Sequence, residues 1–235
     1  MNLFLLALAP GVAIMVYVYL KDKHEREPLS LLFISFLYGI ASTLVTLILS
    51  IPVHALIVTD ESQLYDQFIN AFVKVSLIEE FSKFIFIRYI LFNNRNFNEP
   101  FDGIVYAIMV SMGFATFENV LYVLDGGYAT GFLRMFTAVP AHATFGILMG
   151  FYLGRAKFSK QHATPLTMMG LCAAILFHGL YDYFLFISFV PGIWLGAIAS
   201  LLIAVALSRK AIKIHQHASP FKNTTPPSGG DPEIF

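Results

Sequence analysis

Glu79, Glu80, Glu118, His142, His178 and Asp182 each interrupt a long apolar run, where a membrane chain should carry no ionisable group. Such a residue is costly in hydrocarbon and by default marks a function. Two imidazoles with carboxylates are the usual ligand set of a catalytic zinc that keeps one position open for water. A spare carboxylate can then take a proton from that water. His142, His178 and Glu118 are assigned as ligands of Zn2+, and a glutamate of the Glu79–Glu80 pair is able to join them. The other glutamate of the pair is the proton acceptor. Asp182 lies four residues after His178, on the same helical face, either orienting that ring or ligating beside it. Lys83, at i+4 from Glu79 and i+3 from Glu80, can neutralise one of the two acids. No His-Glu-x-x-His helix is present, and a metal-free route remains open in which a glutamate activates water and the histidines stabilise an oxyanion.

These groups need a scaffold that brings them to one depth. The chain has 235 residues, 57% hydrophobic and 13% charged, with a mean hydropathy of +0.70. Recurring apolar runs of about 20 residues predict an all-α, polytopic transmembrane bundle rather than a barrel of alternating strands. Seven spans are expected, near 2–20, 29–58, 68–92, 103–124, 132–154, 165–190 and 192–208. Pro52 predicts a kink or an early end to the second near Ser50. Measured from the outer ends of their spans, the six polar residues fall roughly 10–18 Å deep. His142, Gly146, Gly150 and Gly154 form a small-residue stripe every four positions, suited to close helix approach. Gly170 and Ala174 extend the face of His178.

Basic residues follow spans one, three, five and seven, so all these loops fall on one side. The positive-inside rule then puts the N-terminus outside and the C-terminus in the cytoplasm. Asp22, Glu25, Glu27, Glu99 and Asp102 are read as loop charges at the cytoplasmic face, and His54 and Lys74 as outer interfacial residues. Residues 1–214 form the transmembrane domain, and the Pro-, Gly- and Ser-containing stretch 215–235 is expected to be a disordered tail. A formal net charge of zero gives no case for nucleic acid. The single cysteine, Cys172, excludes an internal disulfide and reads as a small buried side chain.

Four motifs carry a resemblance. Glu79-Glu80-Phe81-Ser82-Lys83, Phe114-Ala-Thr-Phe-Glu118, Ala141-His142-Ala143 and His178-Gly-Leu-Tyr-Asp182 together resemble the PrsW intramembrane proteases over roughly residues 14–185. The flanking KDKHEREP, EPFDGIVYAIMVSMGFATFENVLYV and FGILMGFYLGRAKF are similar as well. The family is distantly similar to CAAX prenyl proteases and bacteriocin-processing enzymes, and Glu118 stands where those relatives usually have histidine. The resemblance implies a peptidase of the bacterial cytoplasmic membrane, in contact with lipid. Its expected partner is a single-pass transmembrane substrate. In the characterised case that substrate is an anti-sigma factor, cut first on its extracytoplasmic side. Two rival classes are a proton- or ion-coupled transporter, since buried acids and histidines also make proton relays, and a non-catalytic scaffold that binds transmembrane partners through the glycine stripe.

Overall fold

A computed structural model describes residues 2–222. Its helices are α1 (Leu3–Lys21), α2 (Leu29–Leu56), α3 (Leu64–Ile69), α4 (Leu77–Ile85), α5 (Pro100–Phe136), α6 (Ala138–Lys157), α7 (Ala163–Phe186) and α8 (Leu195–Ala218). Among the described residues there is no strand. Five helical stretches are long and apolar enough to cross a membrane, one of them the α5–α6 pair Pro100–Lys157. The expected third span is built differently. A π-helical segment, Asn70–Ser76, joins α3 to α4, and a second, Phe86–Ile90, comes after α4. The rod from Leu64 to Asn93 is therefore helical throughout but widens into π-helix twice.

α5 is the central element. Every residue from Phe101 to Thr116 is buried, which is the signature of a helix surrounded by protein. Small residues let its neighbours approach, as packing must do where lipid removes the hydrophobic drive between helices. A Cβ on Gly39 would lie 2.0 Å from the Val110 carbonyl, and one on Gly113 would lie 2.0 Å from the Phe36 carbonyl. α2 and α5 therefore cross backbone to backbone. The glycine stripe of α6 serves the same purpose: Gly146 faces Ser111, Gly150 faces Gly103 and Gly154 faces Pro100. This order also shows that α5 and α6 run antiparallel. Gly39→Val is expected to destabilise the protein by about 1–3 kcal/mol, read as a lower Tm in detergent. Leu47→Ala, on the exposed outer face of α2, should leave Tm nearly unchanged.

Several boundaries differ from expectation. α2 passes through Pro52 and ends at Leu56 rather than near Ser50. The break expected at 125–131 is a single turn at Gly127, whose φ of 69° suits glycine, after which helix resumes to Phe136. α6 consequently begins at Ala138, six residues later than expected. α8 runs on through Ala218, so a boundary after residue 214 falls inside a helix, and His215 is buried against Phe151 with ring centroids 4.5 Å apart. The remainder of the expected tail, 223–235, lies outside the described residues. Cys172 is exposed on α7 rather than buried.

The acids read as loop charges are the largest departure. Asp22, Glu27, Glu99 and Asp102 are each no more than 2% exposed. Part of this is helix capping: Asp102 accepts hydrogen bonds from the amides of Asn98 and Glu99 at 2.8 Å, just before Pro100 opens α5. Burial pushes the carboxyls of Asp22 and Glu27 up, each to about 7, and raises that of Glu99.

Candidate active site

Lys83 is the hub of the polar cluster. Its ammonium donates to Glu80 Oε1 at 2.8 Å and lies 3.5 Å from Glu79 Oε2. It also donates to His142 Nδ1 at 3.3 Å and sits over the Phe114 ring, 3.8 Å from the centroid. An ammonium can only donate, so His142 accepts at Nδ1 and donates from Nε2 to Glu118 Oε2, 3.0 Å away. His178 presents both ring nitrogens to acids: Nδ1 is 2.9 Å from Glu80 Oε1 and Nε2 is 3.1 Å from Asp182 Oδ2. Phe145 stacks on the His178 ring at 4.8 Å, and the two imidazoles meet edge to face at 5.1 Å. α4, α5, α6 and α7 thus each supply part of one connected network.

Local sequence explains the placement. Gly179, next to His178, leaves room for the Phe72 ring of the first π segment, which would lie 2.4 Å from a Cβ there. That contact locks the wide turn against α7 one step from the functional ring. π turns recur at functional sites because the extra residue re-aims the side chains of the next helical turn, and here Glu79 and Glu80 come within one turn of its end.

The two adjacent glutamates are not equivalent. Glu79 lines a cavity of about 360 Å³ together with Glu118, Arg134, His142, His178 and Asp182. Glu80 has no exposure and does not line it. One donor atom each from Glu79, His142 and His178 lies within 4.8 Å of the others. Glu118, assigned from sequence to the ligand set, is not in this trio. Its Oε2 is held by Arg134 at 2.9 Å as well as by His142. Arg134, Asn119 and Tyr122 complete the site: Arg134 Nε donates to Asn119 Oδ1 at 2.9 Å, and its guanidinium covers the Tyr122 ring at 3.9 Å. Asn119 Nδ2 in turn donates to the Ala7 carbonyl at 2.9 Å, tying the site to α1. The signal for Arg134 was available in the sequence. It is a lone arginine on the side where basic residues are scarce.

The donor set fits a zinc ion. Two imidazoles and a carboxylate are within reach of one point, and Glu80 on the far nitrogen of His178 is the kind of partner that fixes a ligating ring. Formal charge agrees: among the described residues, the fixed cations paired with Glu79, Glu80, Glu118 and Asp182 are Lys83 and Arg134. Two carboxylates are left over, the charge a divalent ion neutralises.

A family model described as PrsW family intramembrane metalloprotease matches residues 27–210. The chain belongs to the PrsW family. Protease PrsW of Geobacillus kaustophilus is 36% identical over 212 residues, covering 90% of this chain and 92% of that protein. Protease PrsW of Bacillus subtilis is 36% identical over 179 residues, covering 76% and 80% respectively. No solved structure matches the chain. Membership makes this a membrane-embedded peptidase and a multi-pass protein of the bacterial cytoplasmic membrane, and the transporter and scaffold expectations give way to it. A PrsW peptidase acts on protein.

Proposed function

We propose that this chain hydrolyses a peptide bond of a single-pass membrane protein, such as an anti-sigma factor, near the extracytoplasmic side of the bilayer. The observation that carries the reading is the convergence of Glu79, His142 and His178 from three helices on one cavity. Basic residues gather at the opposite end of the bundle, in the C-terminal turns of α1, α6 and α8 and just beyond them, which favours an N-out orientation and a site in the outer half. The catalytic domain is the whole bundle, residues 1–214 with the last turn of α8.

A substrate helix has to unwind before cleavage, because its carbonyls are otherwise bonded within the helix. Water then sits between Glu79 and the two imidazoles, and Glu79 accepts its proton. Lys83 pairs with both Glu80 and Glu79 and holds the two acids side by side. Glu80 and Asp182 fix the orientation of His178, while Glu118 and Arg134 fix His142 from the other side. Glu79, His142 and His178 would hold a zinc ion, which supplies Lewis acidity towards the water and the scissile carbonyl. Glu79 would thus contribute both to holding that ion and to accepting the proton of water.

One observation favours a metal-free variant: both nitrogens of His178 face carboxylates, as a doubly protonated ring would require. Elemental analysis of purified protein separates the two. About one zinc per chain, lost in His178→Ala, is expected for the metal site. Cleavage that persists in chelated, zinc-free protein would establish the metal-free route instead. The substrate is tested in cells producing Glu79→Gln: a single-pass membrane protein should accumulate uncut, and an unchanged membrane proteome would overturn the assignment.

A further inference from the structure

The other end of α5 holds a second group of acids that peptide hydrolysis does not use. Glu25 and Glu27 come from the connection between α1 and α2, and Asp102 from the first turn of α5. One carboxylate oxygen from each lies within 4.8 Å of the other two. Asp22 and Glu99 are buried beside them. Asp102 is sixteen residues from Glu118 on the same helix, or about 24 Å at helical rise, so this cluster is separate from the catalytic cavity.

Its hydrogen bonds are incomplete in a particular way. Glu27 Oε2 accepts from the Tyr106 hydroxyl, and Asp102 Oδ2 caps the start of α5. That leaves Glu27 Oε1 and Asp102 Oδ1 buried with no partner, as are Glu99 Oε2 and both oxygens of Asp22. Among the described residues no lysine or arginine forms an ion pair with any of the five. Buried carboxylates without counter-charge are among the costliest features a fold can contain, and they are normally paired or bound to metal. The donors here are all carboxylate oxygens, with no imidazole or thiolate. Such a set selects hard cations over zinc.

The geometry points to a second metal site, in which Glu25, Glu27 and Asp102 hold a hard divalent cation of the calcium or magnesium class and clamp the α1–α2 connection onto the start of α5. Water fills the remaining coordination positions, and Asp22 and Glu99 supply further negative charge around it. The clamp fixes α5, the helix that carries Phe114 and Glu118 into the catalytic cavity.

The test uses the full chain in detergent, stripped of metal with chelator, in wild-type form and with His178→Ala to disable the imidazole site. Each is titrated with Mn2+ in equilibrium dialysis, then with Ca2+ or Mg2+ as competitor, and Tm is followed in parallel. One equivalent of Mn2+ is expected in His178→Ala, displaced by Ca2+ or Mg2+, with a rise of several degrees in Tm at saturation. Glu27→Gln combined with Asp102→Asn preserves shape, and should lose that equivalent and the response of Tm. Should this variant not fold, Glu25→Gln, at a partly buried position, should weaken Mn2+ binding at least tenfold. No Mn2+ bound by His178→Ala, or unchanged binding in these acid-site variants, would overturn the proposal and leave the acids sharing protons among themselves.

Discussion

Glu79→Gln is expected to lower kcat for peptide hydrolysis by about 10²–10⁴-fold while leaving the fold intact, the range set by loss of a general base. The substitution keeps the shape of the side chain and its place on the cavity wall. It removes the one carboxylate of the adjacent pair that water can reach, since Glu80 is shut away behind it. Glu79 is also the more loosely held of the two, 3.5 Å from Lys83 against 2.8 Å for Glu80. Stability should therefore change little. Glu80→Gln offers the contrast. It strips a fully buried partner from Lys83 and an acceptor from His178 Nδ1, and breaking a buried pair typically costs about 3–5 kcal/mol. Comparing Tm with kcat across the two variants separates the residue that meets water from the residue that holds its neighbours. A Glu79→Gln protein that cuts at the wild-type rate would remove Glu79 from the chemistry.

His178→Ala is expected to reduce cleavage on the order of 10³-fold or more and to take any bound zinc with it. This ring is touched by Glu80, Asp182 and the Phe145 face, and its edge meets His142. Its loss opens a void between α4, α6 and α7 and removes one partner from Glu80, which keeps Lys83, and one from Asp182. Asp182→Asn should be milder, about 10–100-fold, because the ring stays in place and only its orientation loosens. Single-turnover cleavage of a labelled single-pass substrate in proteoliposomes measures both. Equal losses in His178→Ala and Asp182→Asn would mean that Asp182 contacts the reacting atoms directly.

Much of this site was legible because hydrocarbon makes ionisable residues conspicuous. Glu79, Glu80, Glu118, His142, His178 and Asp182 stood out on cost alone, and Lys83 came from helical spacing. The glycine stripe on α6 packs against α5 as its spacing suggests, with a Cβ at Gly150 meeting the Gly103 carbonyl at 2.2 Å. The count of residues from each span's outer end was less sound. His142 lies four residues into α6, and Glu79 lies fifteen residues along its rod. The groups converge all the same, because the turn at Gly127 and the π segment shift where those helices begin and face. The π segment has no strong local signal, since it needs no proline or glycine; at Gly127 a break was expected, but not that a single residue with positive φ would make it. Asp22, Glu27, Glu99 and Asp102 were misread for another reason. Polar residues between spans normally face water, and only the three-dimensional packing of the α1–α2 connection under α5 reveals that these do not. That Glu118 pairs with Arg134 across the Gly127 turn, while Glu79 lies nearer the two imidazoles, was likewise invisible in the sequence.

Joint action of the cluster is tested most directly by non-additivity. Cleavage rates are measured in proteoliposomes for Glu79→Gln, His142→Ala, His178→Ala and the variant carrying all three. Groups that act as one unit lose nearly everything with the first substitution. The triple variant should therefore be no slower than the worst single variant. Single-variant losses that multiply in the triple variant, or substantial activity left in all three single variants, would contradict a shared catalytic pocket.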